Sequence, residues 1–180
     1  MTNTIFKDSI LLETEKDFRN TFAVANCILD YTKNVTNLKL QKLVFLAYGL
    51  HLSLYSERLY ESPIEAWKLG PVVKDIYNEF KNHGRGEITT RATVLLDDNE
   101  FLIPSIADDY VKEKMSVIAT CLYYGNMSAP ELVDITHEMQ SWKNAFHFSR
   151  SEEKKIIKDL DIFNDFNNIK SDIVDFVNKS

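Results

Sequence analysis

Four histidines, two cysteines and twenty-seven acidic residues are the groups in this 180-residue chain from which a reactive site could be built. His137 is the best placed of them. In "DITHEMQSW" it follows Asp134 by three positions and precedes Glu138 by one, and the two carboxylates share the i, i+4 spacing of one helix face. An imidazole among carboxylates is the material of general acid–base catalysis. No serine or cysteine stands in a strained Gly-x-Ser-x-Gly turn to serve as a nucleophile beside it. His137 therefore reads first as a packed side chain, set against a neighbouring backbone or Trp142.

His51 falls in an apolar helical run, His83 lies beside Gly84, and His147 sits in "FHFSR". None belongs to an HExxH, HxxxH or Cys/His pattern, so no metal site is expected. Cys27 and Cys121 match no metal or redox spacing and read as buried thiols of a cytosolic protein. Gly70-Pro71, read as a helix start, would offer N–H groups to an anion, yet no P-loop pattern accompanies it; "HGRG" lacks the spacing of a nucleotide fingerprint. The tyrosines (Tyr48, Tyr55, Tyr60, Tyr123, Tyr124) are spread over several elements and read as core-edge residues rather than a stacking surface for bases. The expectation is a protein with no catalytic residues, no metal and no cofactor.

The bulk numbers agree with that expectation. A chain of 180 residues, 44% hydrophobic, can bury a core of its own, and five glycines with four prolines favour helices over a many-turned sandwich. The net charge is −6, but residues 33–91 carry nine Lys/Arg against six Asp/Glu, leaving the acidic excess to the two flanks. A basic middle of that size falls short of the stripe that tracks a phosphate backbone, so nucleic acid is not the expected partner; a basic protein surface suits the acidic excess better. The N-terminus lacks a basic start followed by an apolar run, and Leu43–Leu54, the most apolar window, is too short to cross a bilayer. No membrane association and a cytoplasmic location are expected.

The elements that would position these residues are mostly helices. Phe18, Phe22, Ala25 and Leu29 have helical spacing, broken at Lys33-Asn34. Thr36 is set to cap a helix running to about Tyr55, with apolar residues on nearly every side, as a helix at the centre of a domain requires. Ile64–Leu69 alternates as a short extended segment, and Gly70-Pro71 reads as the start of a helix that ends at "NHGRG". Ile88–Leu96 and Phe101–Ile103, separated by Asp97-Asp98-Asn99-Glu100, predict a small β-hairpin that must lie against helices. Pro104-Ser105 reads as the next helix start. "SAPE" (Ser128–Glu131) and "SRSE" (Ser149–Glu152) match capping boxes ahead of two further helical stretches. The fold class is mainly α: a compact helical domain around a central buried helix, with a small β-hairpin packed on it. Residues 1–16 read as a variable arm, 17–148 as the helical domain and 149–180 as a C-terminal helical extension.

Four blocks then carry a resemblance. "VANCILDYT", "TNLKLQKLVFLAYGLHLSL", "SPIEAWKLGPVVKDIYNEFK" and "SAPELVDITHEMQSWKNA" occur in an order and spacing that resemble the Panacea domain, also called the SocA-like antitoxin domain, over about Phe22 to Ala145. Leu40, Gln41 and Lys42 match the family motif, as do Trp67, Gly70, Pro71, Val72 and Tyr77, and then His137 and Trp142. Relatives commonly carry a tryptophan in the central helix, where this chain keeps only the apolar character of Val44–His51.

The resemblance implies a non-enzymatic antitoxin that neutralises a cognate protein toxin by binding it directly; some members of the family present their toxin to a protease. The alternative is a prophage-encoded regulator or inhibitor acting on a host protein or on DNA. On the functional reading Trp67, Lys68 and Tyr77 would form part of a partner-binding patch; on the structural one Trp67 seals the core, Gly70-Pro71 turns the chain, and Val72, Ile76 and Phe80 dock the helix. Residues 1–20 and 149–180, outside the match, are the expected seat of partner specificity.

Overall fold

The computed structural model describes residues 19–96, 99–148 and 155–179. The arm over 1–16 and the capping box at Ser149–Glu152 lie outside the described residues. Within them, α2 (Asn37–Tyr55) is the centre of the molecule, and all of its residues from Lys39 to Ser53 are buried. Thr36 caps it in extended conformation, its Oγ1 accepting the Lys39 N–H. Ser56, in the left-handed conformation, closes it by donating its N–H to the Leu52 carbonyl.

Among the described residues six further helices pack on α2 or on its neighbours: α1 (Arg19–Tyr31), α3 (Lys74–Phe80), α4 (Val111–Tyr124), α5 (Ala129–Glu138), α6 (Gln140–Phe148) and α7 (Asp159–Lys179). Ser128 and Glu131 form the anticipated capping box at the head of α5. The fold is mainly α, as expected, and among the described residues no helix is long and apolar enough to cross a membrane.

The β structure departs from the expected arrangement. The larger hairpin is β1 (Ile64–Trp67) against β2 (Gly70–Val73), antiparallel, with Trp67 paired to Gly70 across Lys68-Leu69. Gly70-Pro71 thus belongs to a strand, and the helix expected there begins only at Lys74. Residues 155–157 join the other edge of β1, with Ala66 N–H donating to the Lys155 carbonyl and Ile157 N–H to that of Ile64. The predicted hairpin exists at the expected place but is two residues a side, β3 (Val94–Leu95) and β4 (Phe101–Leu102). Nor does Pro104-Ser105 open a helix. Asn26 of α1 donates to the carbonyls of Ala92 and Pro104 and accepts from the Ala92 N–H, so a buried amide ties down this stretch, which passes through a turn at Asp108-Asp109 before α4 starts at Val111.

The last helix, α7, lies along α2 and sends Ile162, Phe166 and Ile173 into the core. Contact is closest at Gly49, where any Cβ would stand 2.1 Å from the Phe166 ring. A glycine at mid-helix costs stability, and here it admits the ring. Gly49→Ala should therefore lower stability by about 1–3 kcal/mol through overpacking. In urea unfolding, Gly49→Ala combined with Phe166→Leu should lose less than the sum of the two single losses, since trimming the ring relieves the clash.

Candidate functional site

The hairpin is fastened to α2 by the two polar residues of the Leu40-Gln41-Lys42-Leu43 run. Gln41 Oε1 accepts the Val73 N–H at 2.8 Å, and its Nε2 donates to Asn37 Oδ1. Lys42 is completely buried, with its Nζ donating to the Pro71 carbonyl at 2.8 Å. Leu40 is core. Gly70 has φ +97°, and a Cβ on it would lie 2.9 Å from both Lys42 Nζ and Thr136 Oγ1. The position thus demands glycine twice over, by its backbone angle and by the ammonium behind it. Burial lowers the Lys42 pKa from 10.5 to about 7.

Trp142 joins the same assembly. Its indole N–H donates to the Trp67 carbonyl at 3.0 Å, and its ring stacks on His137 at 4.1 Å between centroids. The packed reading of His137 is the one the structure displays. Its ring lies on Trp142 and hydrogen-bonds the Lys68 backbone; burial first, and Lys42 second, push its pKa down. Glu138, the suspected partner carboxylate, instead accepts from Lys143 Nζ at 2.8 Å.

The outer side of the hairpin is a groove of about 580 Å³ between the β1–β2 turn, the start of α2 and the end of α3. Trp67, Lys68, Leu69, Tyr77, Lys81 and Arg85 line it. Trp67 is half-buried, so it forms the groove wall rather than sealing the core, with its indole N–H held by Glu65 and its ring 5.0 Å from Tyr77. Leu69 and Tyr77 are exposed. Lys68, Lys81 and Arg85 are exposed too, and none of the three forms an ion pair among the described residues. The groove is therefore apolar and aromatic inside, with three free cations around it.

The structure thus divides the family-motif residues. Leu40, Gln41, Lys42, Gly70, Pro71, His137 and Trp142 build the internal joint, whereas Trp67, Lys68 and Tyr77 face the groove. Sequence reading missed Leu69, Lys81 and Arg85. The signal that could have found them is the run of basic residues beyond α3, whose common face appears only once the hairpin is folded back.

A mainly α domain with a cationic, aromatic-lined groove is the class that fold and site define. Residues 40–143 match the family described as Antitoxin SocA-like, Panacea domain. The protein named Antitoxin SocA from Caulobacter vibrioides (strain NA1000 / CB15N) is 33% identical over 121 residues, covering 64% of this chain. The match spans 63% of that protein's length. No solved structure matches the chain. This chain belongs to the SocA-like antitoxin, or Panacea-domain, family.

The buried joint makes a pH prediction. Folded, Lys42 releases its proton near pH 7; unfolded, it keeps it to about 10.5. The unfolded chain binds more protons in that window, so unfolding free energy must rise with pH, by at most about 1.4 kcal/mol per unit. Cys27 and Cys121, raised by burial to about 12 and about 11, act in the opposite sense only from about pH 9. Lys39, whose pKa burial also lowers, acts in the same sense. Urea midpoints should accordingly climb between pH 7 and 8.5, and Lys42→Met should markedly reduce that climb whatever its effect on absolute stability.

Proposed function

We propose that this protein is a non-enzymatic antitoxin that neutralises a cognate protein toxin by direct binding, and that the toxin presents an acidic segment to the groove beside the β1–β2 hairpin. Family membership supports the antitoxin role. The observation that carries the binding surface is the groove itself, where two aromatic walls and Leu69 supply apolar contact beneath three cations that form no ion pair among the described residues. Tryptophan, tyrosine and arginine are the residue types that most often dominate interface energy. Opposite charge on the partner accelerates encounter and fixes orientation. A nucleic acid would require the cations to continue as a stripe along a strand's path; here they ring one pocket in a chain of net charge −6.

The gene beside this one, expressed alone, should arrest growth, and co-expression of this chain should restore it through a complex that can be isolated. Combined Lys68→Glu, Lys81→Glu and Arg85→Glu changes surface charge only, so the unfolding free energy from urea titration should stay within about 0.5 kcal/mol per substitution of wild type. Toxin affinity should fall at least tenfold and rescue should fail. Unchanged affinity in that folded variant would move the interface elsewhere. Rescue without any complex, or a salt-dependent shift of DNA by the wild-type chain, would defeat the reading.

A further inference from the structure

Ten residues beyond Gln41, about 15 Å further along α2, the helix carries a further buried polar side chain of a different character. His51 is wholly buried, with its Nδ1 3.0 Å from Ser116 Oγ of α4. The Ser116 hydroxyl donates its single proton to the Lys112 carbonyl at 2.9 Å. It can therefore only accept from the imidazole, which fixes the proton on Nδ1 and leaves the Nε2 lone pair bare. Nε2 is buried and has no hydrogen-bond partner among the described residues.

Two carboxylates converge on this ring. A ring nitrogen of His51 and one oxygen each of Glu57 and Glu113 lie within 4.8 Å of one another. Because Nδ1 is engaged by Ser116, Nε2 is the nitrogen free to coordinate. Glu57 follows the left-handed Ser56 that ends α2, whereas Glu113 sits in the first turn of α4. Among the described residues the cation paired there is Lys112, whose Nζ is 3.5 Å from Glu57 and 5.2 Å from the Tyr55 ring centroid. One ammonium set against two carboxylates leaves local charge unbalanced, and the buried nitrogen lacks a donor. A divalent ion answers both.

The geometry points to a divalent transition-metal site, with Zn²⁺ as the representative ion, formed by His51, Glu57 and Glu113 and joining the end of α2 to the start of α4. One imidazole and two carboxylates form a mixed nitrogen–oxygen donor set suited to this class rather than to Ca²⁺ or Mg²⁺, which take oxygen ligands. The Ser116 bond to Nδ1 is the outer contact that ligating histidines typically make, orienting the ring and fixing its tautomer. Ligand distances near 2.0–2.2 Å require the donors to close in slightly, and Glu57, exposed and beyond the helix end, is free to move. Three protein ligands leave a fourth position for water or a donor from a partner. This site is independent of the groove and of the antitoxin reading.

The test is calorimetric titration of ZnCl₂ into the full chain after chelator treatment, with Co²⁺ absorption as a second readout. One equivalent should bind with Kd below about 10 µM, the thermal midpoint should rise with added metal, and the Co²⁺ bands should show nitrogen–oxygen coordination without thiolate charge transfer. Glu57→Gln and Glu113→Gln, both at accessible positions, should each weaken binding at least tenfold in a folded chain, while Glu61→Gln should leave it unchanged. His51→Ala should abolish binding; should that variant fail to fold, the two glutamate variants decide. Absence of stoichiometric binding, binding indifferent to Glu57→Gln and Glu113→Gln, or a thiolate signature from Cys27 or Cys121 would each overturn the assignment.

Discussion

A helix buried on every face can carry no polar side chain without a partner, and α2 carries several. Asn37 donates to the Tyr77 carbonyl, Lys39 to that of Gly125, Lys42 to that of Pro71, and Gln41 receives the Val73 N–H. An unmet buried donor or acceptor costs about 1–3 kcal/mol. Apolar contacts alone would resist rotation of such a helix only weakly, since nearly every side of it is apolar. The polar ties select one rotation, and in doing so place α3, the hairpin and the end of α4. Lys42 makes the strongest demand, because burying an ammonium is costly and one carbonyl is its acceptor among the described residues.

The groove follows from the same ties. Pro71 and Val73 turn their backbone polar groups to the outer edge of β2, where Lys42 takes the carbonyl of one and Gln41 the N–H of the other. That edge is thereby satisfied without another strand. Once β2 is fixed, the Lys68-Leu69 turn must project beyond α2, and Trp67 must stand opposite Tyr77. Trp142, hydrogen-bonded to the Trp67 carbonyl, braces the hairpin from behind. The groove is in this sense the outer skin of an internal joint.

What could be read from the sequence was what local rules determine. The Thr36 cap, the Ser128–Glu131 box and the all-round apolarity of α2 depend on residues within a few positions of one another, and each stands where periodicity put it. Gly70-Pro71 was legible as a punctuation but ambiguous as to kind. Proline suits a first helical turn, and equally a strand edge where no N–H is wanted. The acceptor that decides between them, the Gln41 amide for Val73, lies 32 residues away. Similarly, His51 meets Ser116 across 65 positions, so no spacing rule could pair α2 with the acidic start of α4. Where α7 packs was equally beyond local rules: Gly49, far back in the chain, opens the room that takes Phe166 into the core.

This division between inner ties and outer groove bears on how a single fold can serve different partners. Gln41, Lys42 and Trp142 each satisfy a group on another element, and Gly70 leaves the room that Lys42 and Thr136 occupy, so exchanging any one of them strands a buried donor or acceptor or fills occupied space. Lys68, Leu69, Lys81 and Arg85 are exposed side chains whose loss leaves the ties on α2 intact. Charge and shape in the groove can therefore change at a cost of tenths of a kcal/mol, while the joint behind it tolerates almost nothing. The hairpin is held rigidly from within, so new side chains at its turn would inherit a fixed backbone, and partner choice would be set by their chemistry alone.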